Sequence, residues 1–211
     1  MNLNNFPELS TLTDDCLLLV WDAVTQTTRK VKLSTLKSYL GANASSNNNT
    51  FTFQSFGDNK GIFYYLGLNG GTTWSNPVDI NKLVISAIGV NNPAIPLTTI
   101  VDREQGNFHT TYNNNSWVQF DLIDKKVKLN YWTYRARYDS SYYIPPRLII
   151  SGSDDGASFT QLDDKSFSAN VNQWVGNAIA DQSVAYRYIR FTCPGEIYFT
   201  IGEIELYGVL Q

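Results

Sequence analysis

Two cysteines, one methionine and one histidine are all that 211 residues hold of the side chains most used for disulfides, soft-metal ligation and imidazole chemistry. Cys16 and Cys193 lie far apart in segments of different character, which excludes a stapled scaffold, and both read as free, reduced, buried thiols. No Cys/His cluster has zinc spacing, no Gly-rich phosphate loop occurs, and no Ser or Cys sits in a nucleophile-elbow context. The paired acids Asp14-Asp15, Asp154-Asp155 and Asp163-Asp164 fall where Asp bonds to its own backbone in turns or caps. The chain is therefore expected not to be an enzyme.

Charge is scarce as well. Sixteen Lys and Arg against nineteen Asp and Glu leave a net charge of -3, and no block of like charge exceeds a pair. Without a basic face to neutralise phosphates, nucleic-acid binding is excluded. The longest apolar run, residues 16–21, is six residues, far short of the roughly 20 needed to span a bilayer. Asn2, Asn4, Asn5, Pro7 and Glu8 stand where a signal peptide would carry basic and then apolar residues, so folding in the cytoplasm and no membrane partner are expected.

What is present points to strands. Thirteen Tyr, eleven Phe and five Trp sit among many Thr, Ser, Asn and Gly, the mixture of pleated, half-buried surfaces joined by turns. The run Gly41 to Thr50 has no large apolar side chain and reads as a polar joint, giving a module at 1–41, a linker at 42–50 and a domain at 51–211. In the first module, 16–21 reads as a strand, 22–27 as a turn and 28–33 as its partner. Ser34 caps a short helix bearing Leu36 and Leu40. Leu17, Leu19 and Trp21 face one way and Leu18 and Val20 the other. A hairpin and two helical turns cannot cover both faces, so other copies or a larger assembly are expected to cover them.

The second module is a series of short strands, read at 61–68, 82–88, 116–122, 125–138, 147–153, 159–162, 184–193 and 197–207. Turn signals such as Asn69-Gly70-Gly71, Asn91-Asn92-Pro93, Asp155-Gly156 and Pro194-Gly195 separate them. That spacing predicts a mostly-β protein, a jelly-roll β-sandwich beside a small N-terminal hairpin-plus-helix module. Trp117 is expected in its core.

Four motifs then resemble one family in order and spacing. Ile100-Val101-Asp102-Arg103 with Phe108-His109-Thr110 is similar to the early loop of the discoidin domain, the coagulation-factor type C module with a galactose-binding-like jelly roll. Ser116-Trp117-Val118-Gln119-Phe120-Asp121-Leu122 resembles its Ser-Trp-Val-Gln-Val-Asp-Leu strand. Residues 151–159 resemble its Ser-x-Asp-Gly-x-x-Trp hairpin. Tyr186-Arg187-Tyr188-Ile189-Arg190-Phe191 and Gly202-Glu203-Ile204-Glu205-Leu206-Tyr207-Gly208 resemble its closing strands. In the first module, Leu12-Thr13-Asp14-Asp15, residues 21–31 and Leu33-Ser34-Thr35-Leu36 resemble a short N-terminal module of bacteriophage tail-fibre and baseplate proteins.

These resemblances carry implications. The discoidin likeness implies ligand binding at loops on one end of the sandwich. A sugar site needs an aromatic face and planar hydrogen-bonding groups, which singles out His109, Tyr112, Asn113, Arg137, Tyr138, Tyr142 and Tyr143. No cofactor is required. Sugar-binding members of the family often hold a structural calcium, which by position would fall to Asp102, Glu104 and Glu203. Arg103 stands where the family has Gly, and pairing with Glu104 would let it replace the metal. The phage likeness implies a virion protein assembled in the host cytoplasm. Leu17, Leu18, Leu19, Val20 and Trp21 would attach or oligomerise it, as a trimer, among other tail or baseplate proteins, while the sandwich binds a host-surface glycan for adsorption. The alternative is a virion adaptor or decoration protein with no glycan site, whose Tyr- and Asn-rich loops touch other proteins.

Overall fold

The computed structural model describes residues 17–22, 25–35, 48–180 and 183–211. The chain divides into two compact units, Met1–Asn47 and Asn48–Gln211. In the first, β1 (Leu17–Asp22) and β2 (Thr27–Lys32) form an antiparallel hairpin running from Leu17 opposite Lys32 to Asp22 opposite Thr27. Opposed residues in a ladder share a face. Leu17, Leu19 and Trp21 therefore lie beside Lys32, Lys30 and Thr28, and the three apolar residues are 58%, 68% and 65% exposed. The side chains of Leu18 and Val20, and Cys16, Asp14-Asp15, Leu36 and Leu40, lie outside the described residues.

The second unit is a β-sandwich of two antiparallel sheets. One has the order β10-β7-β13-β3, with β3 Asn49–Phe51, β7 Val127–Arg135, β10 Trp174–Ala178 and β13 Glu203–Leu210. The other has the order β4-β6-β11-β8-β9, with β4 Val84–Ala87, β6 Asn113–Asp121, β8 Arg147–Ser153, β9 Thr160–Ser166 and β11 Tyr188–Ile197. A separate short pair joins β5 (Phe108–His109) to β12 (Thr200–Ile201).

Period-two alternation builds the core. Ser116, Val118 and Phe120 of β6 are buried while Trp117, Gln119 and Asp121 alternate outward. Trp132 of β7 meets Phe191 of β11 edge to face at 5.8 Å and ties the two sheets together. Its indole N–H, which burial would otherwise strand, donates to Asp163 Oδ2 at 2.7 Å. β13 is buried on both faces: Ile204 and Leu206 enter the core, while Glu203, Glu205 and Tyr207 lie on the opposite side of the pleat. That second side is covered by the segment after β3 and by the helix Ile62–Leu68.

Several expectations from sequence are corrected here. Within 61–68, read as a strand, Ile62–Leu68 form a helix with Gly61 as its N-cap. Ile62, Phe63, Leu66 and Gly67 are buried, a helical face. Asn69 ends it in the left-handed conformation with φ 46°. Asn49 and Thr50, read as linker, belong to β3 and pair with Leu210 and Val209. Pro194-Gly195 is not a turn between strands. It is a bulge within β11, where the register with β6 shifts between Cys193 and Glu196 and Gly195 takes φ 90°. Trp117 is only half-buried and lies under the Arg190 guanidinium at 4.5 Å, so the fully buried indole is Trp132. Asp163 and Asp164 sit in β9 and bond to Trp132 and Arg147, whereas Asp155 does accept from the backbone of Ala157 and Ser158. Cys193 is free and buried, and burial pushes its thiol up to about 12. Among the described residues no helix is long and apolar enough to cross a membrane.

Candidate functional site

β5 sets the first group in place. Its pairing with β12 puts His109 opposite Thr200, at the end of the sandwich where β7 stops and β13 begins. The loop after β4 is laced to it, since Asn91 N–H donates to the His109 carbonyl at 3.2 Å. The same Asn91 donates from Nδ2 to His109 Nε2 at 2.7 Å, which leaves the ring proton on Nδ1. Nδ1 is buried and has no hydrogen-bond partner among the described residues.

Two residues past β7, Arg137 lies in the same place. Its Nε and Nη2 donate to the two carboxylate oxygens of Asp139 at 2.6 and 2.9 Å. This forked pairing orients a planar cation better than a single contact would. Asn107 also donates to Asp139, at 3.1 Å. The Arg137 guanidinium is the main cause that holds the Asp139 carboxyl down at about 2. Asp139 is thus an acceptor that positions Arg137, ionised throughout the physiological range.

An open cleft of about 280 Å³ is lined by Asn91, His109, Arg137, Tyr143 and Tyr198. Tyr198 stands in the connection from β11 to β12, with its ring 6.0 Å from that of His109, 4.9 Å from Tyr143 and 5.2 Å from Tyr112. A concave site with one aromatic wall and a few convergent polar groups is the usual form of a small-ligand site. A second groove, of about 290 Å³, runs beside β3 and the helix, and Lys60 is the one charged side chain that lines it.

The sequence-derived candidates separate on this geometry. His109, Arg137 and Tyr143 come together in the cleft. Tyr112 reaches it through Tyr198, and Tyr142 stands beside Tyr143 with ring centroids 6.3 Å apart. Asn113 does not line the cleft; its amide donates to Thr111 Oγ1 at 2.9 Å. Tyr138 is exposed and does not line it either. Sequence reasoning missed Asn91, which it spent on a turn, and Tyr198, which it placed inside a strand. Asp139 was visible two residues from Arg137, a spacing at which loop side chains can meet.

Asp102, Glu104 and Glu203 are not brought together as a carboxylate cluster. Among the described residues, no three or more His, Cys, Asp or Glu side chains are grouped to hold a metal. Asp102 Oδ1 instead accepts the backbone N–H of Glu104 at 2.9 Å. Arg103 does not bond to Glu104. In a left-handed conformation with φ 69°, it donates from Nη2 to the carbonyls of Gly57 and Asp58 and to Asn59 Oδ1. It also lies 4.0 Å from Glu205 and stacks over Tyr64 at 4.8 Å. Oxygens of the kind a hard cation seeks are already gathered round a guanidinium. Burial pushes Glu203 up to about 8, with Arg103 the strongest opposing charge.

Comparison with solved structures shows the fold shared at low identity. A family 32 carbohydrate-binding module of Clostridium perfringens NanJ, in complex with galactose, is 13% identical, covers 62% of this chain and 95% of its own, and has a TM-score of 0.52. The CpGH89CBM32-5 module from Clostridium perfringens, in complex with GalNAc-β-1,3-galactose, is 11% identical with 61% and 96% covered, also at 0.52. A fucolectin from striped bass (Morone saxatilis) serum is 18% identical with 61% and 46% covered, at 0.51. No curated protein sequence matches the chain significantly. The F5/8 type C domain matches residues 84–205, from the first strand of the larger sheet to the buried glutamates of β13 and over the whole cleft. By that match, over more than half its length, the chain belongs to the F5/8 type C domain family.

Proposed function

We propose that the sandwich is a carbohydrate-binding domain whose site is the cleft of Asn91, His109, Arg137, Tyr143 and Tyr198. One observation carries the reading: a His–Asn hydrogen bond and an Arg locked by Asp139 share a single small cleft beside tyrosines packed edge to face. A pyranose offers a C–H face to an aromatic ring and hydroxyls that both donate and accept, and this cleft offers complements to each. The galactose and GalNAc-β-1,3-galactose complexes of the two family 32 modules support the same ligand class. The chemistry is recognition, not catalysis. Asp139, the carboxylate bonded to Arg137, is held ionised by it and is no general acid. The domain also works without calcium, Arg103 supplying the positive charge internally. Titration of the chain against a glycan array, and of Arg137→Ala in parallel, tests the site. Binding should fall by about 10- to 100-fold with the loss of charge-assisted bonds. An array with no bound glycan would return the exposed tyrosines to protein contacts and favour the adaptor reading.

The wider setting is a phage tail-fibre or baseplate protein. The hairpin's likeness to such N-terminal modules and its exposed row of Leu17, Leu19 and Trp21 support attachment or trimerisation there. Several weak sites on one particle would then raise avidity for a host-surface glycan by roughly 10²–10⁴ without new contacts. The solution mass should be a multiple of 23.8 kDa that collapses to one copy in Leu19→Glu with Trp21→Glu. A wild-type monomer would sink this part.

A further inference from the structure

The cleft is small and its aromatic surface does not stop at its rim. At about 280 Å³ it falls below the usual range for drug-sized ligands and suits one sugar unit. From Tyr198 the rings continue through Tyr143, 4.9 Å away, to Tyr142, a further 6.3 Å on. Tyr142 is 75% exposed, and its ring adds nothing to the core. Exposed singly, such a ring would need no explanation; in a continuous row leading out of a polar cleft, it extends the binding surface.

The backbone gives an independent sign. Tyr143 is held at φ 63°, a conformation that strains a residue with a Cβ and persists only where the surroundings enforce it. They do so here. The hydroxyl of Thr200, a fully buried residue on β12, donates to the Tyr143 carbonyl at 2.8 Å, and Tyr142 N–H donates to Ser140 Oγ at 3.1 Å. Ile144-Pro145-Pro146 then limits the freedom of the following chain. The loop is thus fastened to the strand pair that carries His109, and its rings are presented in advance of any ligand.

Resting on the carbohydrate reading of the cleft, we infer that the site takes an oligosaccharide end-on. The terminal unit sits among Asn91, His109 and Arg137, and the next unit lies against the Tyr143–Tyr142 rim. A free monosaccharide would use only the inner half. The test is a glycan array carrying each terminal sugar both alone and at the end of a di- or trisaccharide, followed by calorimetric titration of the full chain with the best pair. The longer saccharide should bind about fivefold tighter or more, the contribution of one added stacking contact. Tyr142→Ala, at a site too exposed to disturb folding, should remove that advantage and leave monosaccharide affinity within about twofold. Equal affinities for the pair in the wild type, or equal weakening of both ligands by Tyr142→Ala, would overturn the inference and leave the cleft reading standing. So would an advantage that Tyr112→Ala removes and Tyr142→Ala does not. If no saccharide of either length binds, the carbohydrate reading itself falls, and this inference with it.

Discussion

Arg103 and Arg137 are the same side chain put to opposite ends. Both are largely buried, and both meet a carboxylate. Arg103 spends its contacts on the protein: two backbone carbonyls, Asn59 and the nearby Glu205, with Tyr64 under its plane. Arg137 is gripped on one side only, by Asp139, and its remaining nitrogen makes no bond among the described residues. A guanidinium has five donors in a fixed fork, so what is left unsatisfied after folding is what a ligand can use. By that measure Arg103 belongs to the fold and Arg137 to the site.

Arg103→Ala should break the first half of this contrast, and with the largest effect. It leaves Glu205 buried without its cation, and the segment of Gly57, Asp58 and Asn59 without its clasp. Unpairing a buried charge costs about 3–5 kcal/mol, so urea denaturation should show a loss of that order, with ligand affinity preserved in the protein that remains folded. A loss under about 1 kcal/mol would make Arg103 an ordinary surface charge.

The buried glutamates sharpen it further. Glu205 accepts N–H bonds from Phe63 and Tyr64 at the start of the helix and from Leu206, yet burial outweighs these and pushes it up to about 7. Gly61 permits the approach, because a Cβ there would run into the Glu205 carboxylate. Glu203, pushed up to about 8 by burial, binds its proton more tightly in the folded than in the unfolded chain. Its contribution to stability is then fully present below about pH 4.5 and lost as pH rises through 8. Melting curves should slope downward across that window, and Glu203→Gln should flatten the slope. A slope unchanged by the substitution would assign the titration elsewhere.

The smallest effect expected is none at all. Melting temperatures in calcium and in excess chelator should coincide for the wild type, because Arg103 already supplies the positive charge. A clear rise with calcium would show that the oxygens around Asp102 and Glu203 retain a metal site that Arg103 only borders.

How far the sequence could be read follows from which signals are local. Alternation in β6 and β8 was legible because a half-buried strand writes its period directly into the chain, and the closing run 202–208 alternates too, although β13 is buried on both faces. Residues 61–68 were misread because a short apolar run suits a helix or a strand equally. What decides between them is Glu205, more than 140 residues away, satisfying the helix's first N–H groups. Trp117 was misassigned because a large ring reads as core whichever way it faces, and only the pleat tells them apart. In the cleft, His109 and Arg137 stood out by chemistry and by family likeness. Asn91 and Tyr198 did not, since their meeting depends on the pairing of β5 with β12, two residues long on each side. Calcium ligands were proposed by position, and the reach of the Arg103 side chain to Gly57, Asp58 and Asn59 was not legible there.

The pairing of β3 with β13 has a mechanical meaning. β13 begins at Glu203, beside the cleft, and runs to Leu210, where it meets Asn49, the first residue of β3. At roughly 3.4 Å per residue, the eight residues of β13 separate the cleft end of the sandwich from the end at which the N-terminal segment leaves it. A pull between a captured glycan and that segment would therefore run the length of one central strand. It would load the three facing pairs of β3 and β13 in shear, all together, and not one at a time from a free edge. Such a domain would hold its grip under drag for as long as those three pairs and their clasp on the sheet survive.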